Sequence, residues 1–154
     1  MSISSIGIFV ATMTGLAEMC AEEARDILLQ QGFQSEIRLM DGLDGGAFDD
    51  VDIIVIVSST YGHGDIPDNG QALFEALQGP SSLTGKHFAV FALGDRTYAD
   101  TFCHAGEQWD RLLEEKGATR IFPLERHDAS AGTLAEDEAA GWAARWTPLL
   151  KRAA

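Results

Sequence analysis

Ile6-Gly7-Ile8-Phe9-Val10-Ala11-Thr12-Met13-Thr14-Gly15-Leu16-Ala17-Glu18 runs from an unbroken apolar segment, through a hydroxyl-rich turn, into a segment whose apolar residues recur every three or four positions. A short apolar run without alternation reads as a strand covered on both faces. After the turn, Ala17, Cys20, Ala21, Ala24, Ile27 and Leu28 share one helical face, Glu18, Glu22, Glu23 and Arg25 take the other, and Gly32 ends the helix. A strand that turns tightly into a helix leaves the helix's unpaired N–H groups and the positive end of its dipole at the turn. Thr12 and Thr14 add hydroxyl donors at the same point. The turn reads as a cradle for one phosphate monoester, built without a lysine. Neither GxxxxGK[ST] nor GxGxxG is present, so the implied ligand carries no phosphate chain. Thr and Gly are also ordinary cap and turn residues, so this turn gains meaning only beside the other loops.

The same strand-then-helix alternation continues along the chain. Ile53 to Val57 and Phe88 to Leu93 are continuous apolar strands; Ser35 to Leu39 alternates like an edge strand, and Ala118 to Leu124, closed by Pro123, reads as another. Helical periods span about Gln71 to Leu77, run through Trp109, Leu112 and Leu113 to a stop at Gly117, and carry Trp142, Trp146, Leu149 and Leu150 at the end. The tryptophans are read as core anchors. Met40 to Asp50, rich in Gly and Asp, is the least helical crossover and is expected as a turn or loop. Five strands alternating with helices predict an α/β fold: one open parallel sheet with helices on both faces and right-handed crossovers, in a single domain over residues 1–154. In such sheets ligands gather at the carboxyl ends of the strands, near the switch in strand order, so the loops after the first, third and fourth strands belong together.

The 24 acidic and 11 basic residues give a net charge of −13, which argues against nucleic acid or an anionic membrane as partner and favours docking to basic protein surfaces. Solubility alone is an adequate second explanation of that charge. No apolar run approaches a membrane span, and no basic-then-apolar secretory layout opens the chain. Cys20 and Cys103 form neither a CxxC nor a disulfide framework, so the cytoplasm is expected. No His, Cys and carboxylate spacing supports a metal site.

After the third strand comes Ser58-Ser59-Thr60-Tyr61-Gly62-His63-Gly64-Asp65-Ile66-Pro67-Asp68-Asn69. Two glycines flanking one residue free the backbone to approach a flat ligand and to reorient a peptide. Tyr61 offers an aromatic face, and Asp68-Asn69 read as the cap of the next helix. After the fourth strand comes Leu93-Gly94-Asp95-Arg96-Thr97-Tyr98-Ala99-Asp100-Thr101-Phe102-Cys103-His104, which supplies a second tyrosine. Tyr61 and Tyr98 on neighbouring loops can sandwich a planar ring whose phosphate tail reaches Thr12 and Thr14, although either tyrosine alone is compatible with ordinary loop packing. His63, His104 and Cys103 have bland readings as loop residues and a packed thiol.

These three motifs, Thr12-Met13-Thr14-Gly15, Ser59 to Asn69, and Ala92-Leu93-Gly94-Asp95 followed by Tyr98 and Phe102-Cys103, resemble those of the flavodoxin superfamily across nearly the whole chain. The resemblance is nearest to small MioC-type flavodoxins and to the FMN domains of sulfite reductase flavoprotein and cytochrome P450 reductase. It implies a flavodoxin-like sheet of order 2-1-3-4-5 and FMN as cofactor. Thr12, Met13, Thr14, Gly15, Leu16 and Ala17 would wrap the phosphate. Thr60, Tyr61, Gly62 and Gly64 would edge the isoalloxazine, with Ser59 and His63 in the same motif and the Gly62 peptide facing flavin N5 as a redox switch. Leu93, Gly94 and Asp95 would meet the pyrimidine side, Tyr98 would stack, Phe102 and Cys103 would close the pocket, and Asp128 matches an acidic position near the flavin. Leu16 replaces a hydroxyl residue common in relatives, Ala99 is an extra residue in the Tyr98 loop, and the fifth strand lacks the long insertion of long-chain flavodoxins.

The implied role is a one-electron carrier, monomeric and without catalytic residues of its own. It would take electrons from a separate NADPH-dependent flavodoxin reductase and pass them to acceptor redox enzymes with basic docking faces. Asp65, Asp68, Asp95 and Asp100 are the expected contact ring. An FMN-dependent NAD(P)H quinone reductase is the alternative, although the chain has little spare length for the insertions that complete such a pocket. A signalling receiver domain would need an acidic pair after the first strand and an aspartate ending the third, where this chain has Ala11-Thr12 and Ser58-Ser59.

Overall fold

The computed structural model describes residues 5–12, 15–60, 66–80, 82–97 and 102–153. Its sheet is parallel throughout, in the order β2 (Ser35–Leu39), β1 (Ile6–Ala11), β3 (Ile53–Ser58), β4 (His87–Gly94), with β5 (Thr119–Arg120) and β6 (Glu125–Asp128) both on the far edge of β4. The helices are α1 (Leu16–Gln30), α2 (Asp68–Leu77), α3 (His104–Glu115) and α4 (Ala135–Ala153). β1 and β3 are buried along their whole length, as their unbroken apolar sequences require, whereas β2 is only half-buried at its edge.

Because side chains alternate across a strand, each central strand feeds two cores. Ile6, Ile8 and Val10, with Val55, Val57, Ala89 and Phe91, pack under α1 and α4; Phe9, Ile54, Ile56, Phe88 and Val90 pack under α2, α3 and the segment 40–51. The three tryptophans are fully buried anchors: Trp142 and Trp146 on the first face, Trp109 on the second. Segment 40–50 contains turns and no helix, as its Gly and Asp content predicts, and it covers the sheet through Met40 and through Phe48, whose ring meets Phe9 edge-on at 4.6 Å. At the end of α1, Gly32 adopts φ 91, the left-handed conformation that stops a helix cheaply.

The last strand departs from expectation. Ala118 to Leu124 was to be one strand closed by Pro123, but pairing breaks there and resumes after it. Arg120 pairs with Phe88 and Glu125 with Phe91, so five steps along this edge face three on β4. The even excess keeps the inward-facing parity, and the bulge takes up a proline that could not donate to the ladder. The rest of the expected strand order is found, with the fifth position in the sheet filled by two short segments.

Parallel register brings the carboxyl ends into one row. Ala11 pairs with Ser58, Ser58 with Ala92, and Ala92 with Arg126, so the chain leaves β1, β3, β4 and β6 along a common rim.

Candidate functional site

Four connections leave that rim, and within the described residues three of them are tied to a neighbour by a side chain that accepts a backbone N–H. Thr12 N–H donates to Asn69 Oδ1 on α2 at 3.0 Å; Ala105 N–H, in the first turn of α3, donates to Thr60 Oγ1 at 3.3 Å; Arg96 N–H donates to Asp128 Oδ1 at the end of β6 at 3.0 Å. Each bond joins segments distant in sequence and adjacent on the rim. The loops are therefore braced against one another and do not depend only on their own turn chemistry.

At the end of β1, Thr12 Oγ1 accepts Gly15 N–H at 3.1 Å, which closes the turn and leaves the hydroxyl proton to donate elsewhere. Gly15 sits at the N-cap of α1 with φ 89 and provides no side-chain cap, and a Cβ there would meet nothing within 4 Å. The first N–H groups of α1 have no helical carbonyl to reach. An uncapped helix start beside an open turn, with no lysine or arginine from residue 12 to residue 19, presents neutral donors suited to a phosphate monoester. Leu16 is half-buried and packs against the core, and Ala17 is fully buried behind it.

On the other side, Gly94 ends β4 where a Cβ would lie 2.5 Å from the Cys103 backbone nitrogen and 3.0 Å from its Sγ. Only glycine permits this closeness. Cys103 is fully buried, adopts φ 57, and directs its thiol at the Ala92 and His127 carbonyls at 3.5 and 3.7 Å. Burial pushes that thiol up to about 12, so it is a packed, protonated group and no nucleophile. Asp95 Oδ1 accepts Thr97 N–H at 2.8 Å, and the Arg96 guanidinium lies 4.4 Å over the Phe102 ring and 3.5 Å from Asp128. The Asp128 carboxyl is held below its ordinary value, first by the Arg96 N–H bond and then by Ser130, so it is an ionised clamp on the loop after β4.

Behind this clamp, the buried His127 ring meets Glu138 of α4 at 2.5 Å from Nδ1, and Glu138 also accepts the Thr133 hydroxyl at 2.7 Å. The Thr133 bond, followed by the His127 bond, lowers the Glu138 pKa. A carboxyl whose folded pKa is depressed stabilises above its unfolded value and loses that contribution as pH falls through the folded one. Glu138→Gln is therefore expected to destabilise by about 1 kcal/mol at neutral pH, a modest figure because the carboxylate is one third exposed. The gap from the parent should close below the ordinary value of 4.5, as read by urea unfolding across that range. A gap independent of pH would assign the loss to packing.

Of the expected site residues, Thr12, Gly15, Leu16, Ala17, Ser59, Thr60, Leu93, Gly94, Asp95, Phe102, Cys103 and Asp128 all lie on or just behind this rim. Met13, Thr14, Tyr61, Gly62, His63, Gly64 and Tyr98 lie outside the described residues. Thr60 Oγ1 accepts the Ala105 N–H at the start of α3, which fixes the hydroxyl in place and leaves its proton to donate elsewhere. Asp68 and Asn69 do not cap α2: Pro67 holds the N-cap position, no side chain caps the helix, and Asn69 turns to Thr12 instead. Asn69, Arg96 and the His127–Glu138 pair were not expected as site elements, because their partners are remote in sequence. No cluster of His, Cys, Asp and Glu among the described residues is arranged to hold a metal.

A family pattern described as Flavodoxin matches residues 8–142, which includes every loop of the rim. The chain belongs to the flavodoxin family. It is 36% identical over 153 residues to flavodoxin YqcA of Escherichia coli, covering 96% of this chain and 99% of that protein. It is 36% identical to a MioC homologue of Pasteurella multocida, at 90% and 93% coverage. It also matches the sulfite reductase [NADPH] flavoprotein alpha-component of Bacillus subtilis at 37% identity, over 77% of this chain and 20% of that larger protein. Among solved structures, a cysteine mutant of the flavodoxin from Pseudomonas aeruginosa superimposes with a TM-score of 0.86 at 32% identity, covering 96% of this chain and 99% of that one. This flavodoxin is thus a short-chain, MioC-like flavoprotein that binds FMN and transfers electrons, as flavodoxins do, in place of turning over a substrate.

Proposed function

We propose that this flavodoxin, a single domain over residues 1–154, shuttles single electrons in the cytoplasm as a monomer, from an NADPH-dependent flavodoxin reductase to acceptor redox enzymes. What supports the reading is the braced rim at the ends of β1, β3, β4 and β6, whose neutral donor turn at residues 12–17 suits a phosphate and whose β4 loop is held tightly by Gly94 and Asp128. FMN supplies the one-electron chemistry when bound. The phosphate is assigned to Thr12, Met13, Thr14, Gly15, Leu16 and Ala17. The ring is assigned to Ser59, Thr60, Tyr61, Gly62, His63, Gly64, Leu93, Gly94, Asp95, Tyr98, Phe102 and Cys103, with Asp128 fixing the Arg96 turn. Gly62, between Tyr61 and His63, remains the peptide proposed to reorient with redox state.

The carboxylates around the rim would steer basic partners. Asp68 is exposed at the start of α2, Asp95 is half-buried on the β4 loop, and the net charge of −13 extends their field. Adding the apoprotein to FMN is expected to quench the flavin fluorescence at one equivalent, and the loaded protein should then be reduced by NADPH only when a flavodoxin reductase is present. That reduction should slow by about threefold or more as salt rises from about 0.01 M to about 1 M, because screening shortens from roughly 30 Å to roughly 3 Å. Unquenched FMN would end the cofactor assignment. Reduction by NADPH without a reductase would replace the carrier by an enzyme, and a salt-independent rate would remove electrostatic docking.

A further inference from the structure

Asn69 stands at the second position of α2, yet its side chain serves the chain leaving β1, 57 residues away. Its Oδ1 accepts Thr12 N–H at 3.0 Å, and its Nδ2 lies 3.5 Å from the Val10 carbonyl. The amide orientation follows from the partners, since a backbone N–H can only donate and a carbonyl can only accept. One planar group therefore brackets Ala11, the last residue of β1, and sets the direction in which the chain enters its turn. The next link is internal to the turn, where Thr12 Oγ1 takes Gly15 N–H.

Residue 70 makes this reach possible. A Cβ at Gly70 would lie 3.0 Å from the Ala11 Cβ, 3.0 Å from Ile66 and 3.1 Å from the Met40 sulfur. The first turn of α2 thus lies directly on the end of β1, so close that a side chain at residue 70 would require Ala11, Ile66 and Met40 to give by a few tenths of an ångström.

We propose that Asn69 is the positioning residue for the phosphate turn: it holds Thr12 in register so that the turn at residues 12–17 presents its donors to the phosphate, without touching the phosphate itself. This inference rests on the assignment of that turn to FMN phosphate. It carries a selectivity consequence, because the braces at Thr60 and Asp128 hold other segments of the rim and leave Asn69 alone. Loss of Asn69 should be felt by FMN and ignored by riboflavin, which has the same ring and no phosphate.

The test compares the Kd values of FMN and riboflavin, by fluorescence quenching, for the parent, Asn69→Ala and Asn69→Asp. In Asn69→Ala the FMN Kd is expected to rise about tenfold, about 1.4 kcal/mol, with the riboflavin Kd within about twofold of the parent. Asn69→Asp keeps size and the acceptor for Thr12 N–H but sets an oxygen against the Val10 carbonyl and a negative charge near the phosphate, so it should show the same one-sided loss. It also stands in should the alanine variant fail to fold. Equal weakening of both ligands, or of neither, would overturn the positioning role while leaving the cofactor assignment intact. A parent that binds FMN no better than riboflavin would instead remove the phosphate assignment beneath it.

Discussion

Gly94→Ala is expected to raise the Kd for FMN by at least about a hundredfold, about 2.7 kcal/mol, while the sheet still folds. The added Cβ would arrive 2.5 Å from the Cys103 backbone nitrogen and 3.2 Å from its Cα, so the conflict is with backbone and no side-chain rotation relieves it. Neither neighbour can give way easily. Gly94 is fixed by pairing with Asp128 on β6, and Cys103 is held at φ 57 with its thiol against the Ala92 and His127 carbonyls. The segment between them must move, and that segment is the loop assigned to one side of the flavin ring. Overpacking of this kind costs about 1–3 kcal/mol of stability, so the melting temperature should fall as well. Gly141→Ala supplies the control, since that exposed helical glycine has open space around it and alanine should be neutral or stabilising by up to about 1 kcal/mol. An FMN affinity for Gly94→Ala within about twofold of the parent would show that the β4 loop does not shape the pocket.

The elements easiest to read in the sequence were those whose signal is local and repeated. β1, β3 and β4 are unbroken apolar runs because both of their faces are covered, and α1 shows its face through Ala17, Cys20, Ala21, Ala24 and Leu28. β6 reads Glu-Arg-His-Asp and gave no such signal, because it sits at an edge where only His127 is buried. Pro123 was read as closing a strand, whereas the strand merely bulges there and recovers its register two residues out of step. The location of the site followed from topology, since parallel strands deliver their loops to one rim. Its bracing was not legible. Asn69 after Pro67-Asp68 looks locally like a helix cap, and only the fold shows that its partner is Thr12. Thr60 likewise gives no sign in the sequence that its Oγ1 accepts the Ala105 N–H at the start of α3. Side-chain bonds across 45 or 57 residues leave no periodic trace in a single sequence.

Trp142→Ala is expected to destabilise the apoprotein by about 3–5 kcal/mol, a large share of the roughly 5–15 kcal/mol that keeps a typical domain folded. Trp142 is fully buried on α4, tilted against Phe91 of β4 at 5.2 Å and edge-on to Trp146 at 5.3 Å, so its removal opens a cavity that spans the contact between helix and sheet. Its indole nitrogen has no hydrogen-bond partner among the described residues. Trp142→Phe therefore discards an unmet donor while keeping most of the apolar area, and its loss should be about 1.5 kcal/mol or less. The cavity lies under α4, whereas the proposed FMN site lies at the strand ends, so the two should be coupled only through folding. FMN at about a hundred times its Kd should then restore about 2.7 kcal/mol to Trp142→Ala by mass action, as it does to the parent. Urea unfolding with and without FMN measures both increments. Equal increments place Trp142 in the scaffold alone; an increment lost in the variant, with the apoprotein still folded, would show that α4 packing reaches the flavin site through β4.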